Sequence, residues 1–151
     1  MTPVVLACLA LVVLTTLLHY EALRLLSAVL PRLRVVPRAR LIAVILGTFA
    51  AHALEIALYA AVIYALVHGL GAGTLGAADA PAWTTALYFS AETYTSLGYG
   101  DVVPQGALRA LAGVEALNGL LLIGWTASYT YVAMQHFWGE GAATPGPDPP
   151  R

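Results

Sequence analysis

Glu92-Thr93-Tyr94-Thr95-Ser96-Leu97-Gly98-Tyr99-Gly100-Asp101 is the stretch on which the reading of this chain turns. Gly98 and Gly100 flank one tyrosine, and an aspartate follows directly. Glycine enters backbone conformations closed to other residues. Two glycines in alternation let successive carbonyl oxygens face one side, and such a row can replace the water shell of a dehydrated cation. One strand supplies too few oxygens to surround an ion, so the stretch implies a ring of chains, most simply four. A phosphate-cradling glycine loop would follow a strand, open a helix and keep a cationic side chain nearby. Here the preceding residues read as a helix, and the chain has no lysine. A plain surface turn needs one glycine and no flanking acids.

Composition argues the same way. Of 151 residues, 60% are hydrophobic and 10% charged, against roughly 45–50% apolar in ordinary soluble domains. Mean hydropathy is +0.78. An excess of that size in a chain this short faces lipid rather than a larger core. The net charge of −1 offers no basic surface for nucleic acid, and the single cysteine, Cys8, excludes an internal disulfide.

The first apolar run, about Val4 to Leu26, suffices to cross a hydrocarbon core that needs about 20 residues. It lacks the basic start and small-residue cleavage site of a signal peptide, so it reads as a retained helix within residues 1–30. His19, Glu21 and Arg24 are unusual there, and Glu21 with Arg24 are spaced to pair. Residues 31–40, P-R-L-R-V-V-P-R-A-R, hold Arg32, Arg34, Arg38 and Arg40 between two prolines. A short arginine-rich linker of this kind belongs in the cytoplasm. A second span then covers about Leu41 to Leu70. Gly69, Gly71, Gly73 and Gly76 follow as a flexible turret, with Asp79 as an N-cap and Pro81 in the first turn of a helix from Ala82 to Thr93. That helix is too short to cross and should be re-entrant, its C-terminal partial negative charge turned toward a cation. Gly106 to about Gln135 forms the third span, ending near the interfacial aromatics Tyr131, Phe137 and Trp138. Residues 138–151 read as a disordered tail. The expected architecture is an all-α membrane protein: three transmembrane helices, with a pore helix and loop between the second and third, in a four-fold tetramer.

The wording T-S-L-G-Y-G-D resembles the potassium-channel filter, usually T-T/V-V/I-G-Y/F-G-D, and the likeness extends through A-L-Y-F-S-A-E-T upstream and Val103-Pro104 downstream. It covers roughly Leu41 to Gln135. With the leading helix, the chain resembles small three-span proteins of the bacterial ion-channel superfamily. The resemblance implies a pore domain over residues 41–137 and a passive, non-enzymatic, potassium-selective homotetramer in a bacterial inner membrane. The N-terminus would lie outside and the C-terminus in the cytoplasm. It implies no cofactor beyond K⁺ held by Ser96, Leu97, Gly98 and Tyr99, within a filter of Thr95 to Gly100. Glu92 and Asp101 then occupy the positions of a carboxyl pair sharing a proton behind the filter, with Glu92 the protonated member, and Tyr88 sits beside them. Gly119 falls near the hinge of the inner helix, and Gly124 is a second hinge candidate, with close helix packing the alternative reading. Ser96 and Leu97 depart from the usual threonine and β-branched residue, which loosens the filter and keeps a weakly selective cation pore as the alternative.

Four polar residues fall outside that pattern. His52 and Glu55, and Glu115 and Asn118, lie near the bilayer midplane as pairs spaced to share a helical face. An acid exposed to lipid there costs several kcal/mol by order of magnitude, so partners are expected. The simplest arrangement joins all four in one buried cluster between the second and third spans. His52, Glu55 and Glu115 would also serve a metal or proton transporter, although the H-x-x-E spacing lacks the second histidine of a H-E-x-x-H hydrolase.

Overall fold

The structure is a computed structural model and describes residues 1–32, 35–76 and 81–142. Its helices are α1 (Thr2–Val29), α2 (Pro37–Leu70), α3 (Trp83–Tyr94) and α4 (Leu108–Ala142), with a 3₁₀ turn at Leu30–Arg32 after α1. The stretches within Thr2–Arg32, Arg38–Leu70 and Leu108–Phe137 are long and apolar enough to cross a membrane. At 1.5 Å per residue α3 is only about 18 Å long, short of the roughly 30 Å hydrocarbon core. Arg34 and Asp79 lie outside the described residues, as does the tail from residue 143. Helix α4 continues to Ala142, into the stretch expected to be tail.

Each long helix buries one narrow stripe. On α1 it is Val4, Cys8, Leu11, Thr15, His19 and Leu23, a three-to-four spacing that marks a single face. On α4 it is Leu108, Leu111, Glu115, Asn118 and Leu122. The polar groups sit inside, whereas Leu6, Leu9, Val13, Leu17, Phe49 and Leu121 are exposed. A water-soluble helix distributes these residues the other way round. With lipid as solvent the arrangement is the favourable one, because hydrocarbon cannot satisfy a hydroxyl or carboxylate.

Prolines and glycines set the ends. Pro3 and Pro37 occupy the first turns of α1 and α2, where a missing N–H costs nothing. Helix α2 therefore starts at Pro37 instead of breaking there. Gly71, at φ +55°, closes α2, and the Gly71 and Ala72 amides return to the carbonyls of Val67 and Leu66, both at 3.2 Å. The turret then pairs with the segment that precedes α4. Gln105 N–H reaches Thr74 O at 2.9 Å, Gly76 N–H reaches Val103 O at 3.0 Å and Ala107 N–H reaches Ala72 O at 3.1 Å. A Cβ on Gly73 would run into the Gln105 carbonyl. The turret glycine thus serves close backbone approach, and this hairpin ties the end of α2 to the start of α4.

Candidate functional site

Ser96, Gly98 and Gly100 have φ of +58°, +55° and +81°, while the residues between them do not adopt positive φ. Left-handed backbone alternates along the loop with a period of two. Ser96 is the only non-glycine residue with positive φ among the described residues, a conformation that costs an L-residue roughly 1–2 kcal/mol. No sequence rule for glycine would have found it. Strain of this kind persists only where its surroundings enforce it.

Glu92 does the enforcing. Its backbone carbonyl accepts the Leu97 N–H at 2.9 Å and the Gly98 N–H at 3.4 Å. Its side-chain Oε1 accepts the Tyr99 N–H at 3.1 Å. Three consecutive amides therefore point back at one buried residue of α3. The peptide bonds are all trans, and in a trans peptide the carbonyl points opposite to the following N–H. The carbonyls of Ser96, Leu97 and Gly98 consequently face away from α3. Residues 95–100 are all exposed in the single chain, with Tyr99 at 71%.

Asp101 has a different partner. The Tyr88 hydroxyl donates to its two carboxylate oxygens at 3.2 and 3.1 Å, and the Val102 N–H donates to Oδ1 at 3.1 Å. Among the described residues no hydrogen bond joins Glu92 to Asp101. In the single chain Glu92 holds the loop amides and Asp101 the Tyr88 phenol.

The midplane residues also differ from expectation. His52, Glu55, Glu115 and Asn118 form two layers instead of one cluster, His52 and Glu55 in one and Glu115 and Asn118 beside Ser90, Tyr59 and Thr15. Ser90 and Tyr94 are one turn apart on α3. Tyr94 donates to Glu55 Oε2, and Ser90 donates to Glu115 Oε1 and to the Ile56 carbonyl. Asn118 instead donates to Thr15 Oγ1 at 2.8 Å and to the Tyr59 hydroxyl at 3.2 Å. Glu115 Oε2 is buried with no hydrogen-bond partner among the described residues.

Around Glu55 the layer closes into a ring. His19 Nδ1 lies 3.0 Å from Glu55 Oε1, and His52 Nδ1 lies 3.0 Å from Glu55 Oε2. On the far side, Thr126 Oγ1 lies 3.2 Å from His19 Nε2 and 2.8 Å from His52 Nε2. Four contacts link four groups. The Tyr94 hydroxyl joins the ring as well, 2.9 Å from His52 Nδ1 and donating to Glu55 Oε2. His19 stood out in the sequence as a histidine in an apolar span. Thr126 and Tyr94 carried no comparable signal, since spacing along one helix does not report which neighbour faces it.

Of the two interior glycines of α4, Gly119 sits tightly against α3. A Cβ there would meet the Tyr94 carbonyl group, with its carbon at 2.9 Å and the ring Cγ at 3.0 Å. A Cβ on Gly124 would meet nothing within 4 Å. The Glu21–Arg24 pair forms as spaced, at 2.8 Å on an exposed face.

Three membrane-capable helices, a short buried helix between the last two and a strained exposed loop after it define an integral membrane protein. The chain belongs to the ion channel family, whose sequence model matches residues 51–136, more than half of its length. The match begins inside α2, so α1 is extra to it and the molecule is a small channel with an additional N-terminal helix. No curated protein matches the chain, and neither does any solved structure.

Proposed function

We propose that four copies surround an axis lined by residues 95–100 and conduct dehydrated potassium ions passively. The observation that carries this reading is the direction of the peptide groups. The amides of Leu97, Gly98 and Tyr99 all turn back to Glu92, which leaves the carbonyls of Ser96, Leu97 and Gly98 aimed at open space. One chain cannot surround a cation with them; a ring of chains can, and carbonyl rings replace the hydration shell of K⁺. Exposure of the whole 95–100 stretch in the single chain supports a surface completed by other copies. Helix α3 serves as the pore helix, its C-terminal end adding partial negative charge toward the axis. The Ser96 hydroxyl serves the innermost site, and no cofactor or catalytic chemistry is involved.

The arginines of the α1–α2 linker orient the chain with that linker in the cytoplasm. The N-terminus and the loop after α3 then lie on the outer side of a bacterial inner membrane, and the tail lies inside. Glu115 is not among the groups gathered around His52 and Glu55, so the three give no support to a transporter site. Selectivity is the finer point, because Ser96 and Leu97 provide less side-chain stiffening than threonine and a β-branched residue. Purified chain in liposomes, loaded with potassium or sodium and monitored by a flux dye, tests the reading. Potassium flux well above sodium flux is expected. Equal flux of the two ions would leave a weakly selective cation pore, and no flux of either would overturn the channel reading.

A further inference from the structure

We propose that His19, His52 and Glu55, completed by the Tyr94 hydroxyl, form a binding site for a divalent transition-metal ion, with zinc the best match. Their donor atoms come from α1, α2 and α3 and all but converge. His19 Nδ1, His52 Nδ1 and a Glu55 carboxylate oxygen lie within 4.8 Å of one another, and Tyr94 Oη is 2.9 Å from His52 Nδ1. His19 and Glu55 are fully buried. Two imidazoles and a carboxylate are a recurrent zinc set, with one position left for an oxygen. Zinc bonds of about 2.0–2.2 Å place tetrahedral donors about 3.3 Å apart, close to the 3.0 Å between each imidazole Nδ1 and the Glu55 carboxylate.

The surroundings are those of a metal site. A ligating histidine usually donates its other N–H to an outer acceptor that fixes its tautomer. Here both Nε2 atoms meet the same hydroxyl, Thr126 Oγ1. A hydroxyl has two lone pairs and accepts from both. That leaves both Nδ1 lone pairs free to face an ion held between them and the carboxylate, as ligation requires. A groove of about 230 Å³ borders the ring, lined in part by Phe49, His52, Tyr94 and Thr95.

Such an ion would fasten α1, which lies outside the family match, to α2 and to Tyr94, the last residue of α3 before the exposed loop. The site is independent of conduction and is tested without it. The full chain, purified in detergent in metal-free buffer, is titrated with zinc by calorimetry. One zinc per chain is expected. Thr126→Val should weaken binding about 10–100-fold, and His19→Ala or His52→Ala should weaken it further. His68→Ala, at an exposed histidine bonded to the Tyr64 carbonyl, should change nothing. Cobalt bound to the unmodified chain should show the intense visible bands of a four-coordinate ion, a readout that needs no variant to fold. Absence of saturable zinc binding, cobalt bands of six-coordinate intensity, or affinity that survives loss of both histidines would each overturn the site.

Discussion

Gly98→Ala is the most direct perturbation of the proposed carbonyl row. Gly98 has φ +55°, and a Cβ built there meets nothing within 4 Å, so crowding within the chain contributes nothing to the cost. What remains is the backbone penalty of an L-residue in the left-handed region, about 1–2 kcal/mol per residue. In a ring of four the penalty repeats in every copy and reaches roughly 4–8 kcal/mol. The loop is exposed and makes few packing contacts, so it relaxes by turning the peptide out of the row instead of unfolding the helices. The expected outcome is a protein that still purifies, with its helical circular dichroism and melting temperature close to those of the unmodified chain. Potassium flux in liposomes should fall to background. Gly124→Ala, also free of neighbours but inside a helix at ordinary φ, is the matched control and should keep flux. Full potassium flux through Gly98→Ala liposomes would refute the reasoning, because it would show that the row does not depend on left-handed backbone at that position.

Other substitutions test the supports of the loop and the two layers. Glu92→Gln keeps an acceptor for the Tyr99 amide and should retain flux. Glu92→Ala leaves that amide unpaired at about 1–3 kcal/mol and should lower flux and selectivity together, as read from potassium and sodium dye assays. Gly119→Ala forces a methyl against the Tyr94 carbonyl group and should lower stability by about 1–3 kcal/mol in thermal unfolding, as over-packing does. Tyr94→Phe removes a donor from buried Glu55, a bond to a charged group worth about 1.5–3 kcal/mol. The same assay should show a comparable loss, and an unchanged melting temperature would argue against the ring.

What the sequence disclosed, and what it did not, follows one physical division. Features encoded along a single helix were legible. The short helix expected at Ala82 to Thr93 is Trp83–Tyr94, because its end is written in the glycines that follow. The i,i+3 spacing of His52 and Glu55 did predict a shared face, and the two meet at 3.0 Å. Features that depend on how helices are rotated against one another were not legible. Spacing gave the face of each polar pair but not its azimuth, so Glu115 and Asn118 were assigned to His52 and Glu55, whereas they meet Ser90, Tyr59 and Thr15. The layering has a simple geometric origin. Thr15 and His19 on α1, Glu55 and Tyr59 on α2, and Ser90 and Tyr94 on α3 are each four residues apart. Each of these helices thereby contributes one polar residue to each of two layers about 6 Å apart. The layers extend antiparallel along the helices, so the residue of lower number lies on opposite sides in α1 and α2. No alignment of spacings within one helix reveals that. Once α1 is in place the consequence is specific. The helix outside the family match supplies His19 to one layer and Thr15 to the other, and without it Glu55 and Asn118 would each lose a partner in hydrocarbon. The extra helix is therefore part of the polar interior of the family-matched segment and not an appendage to it.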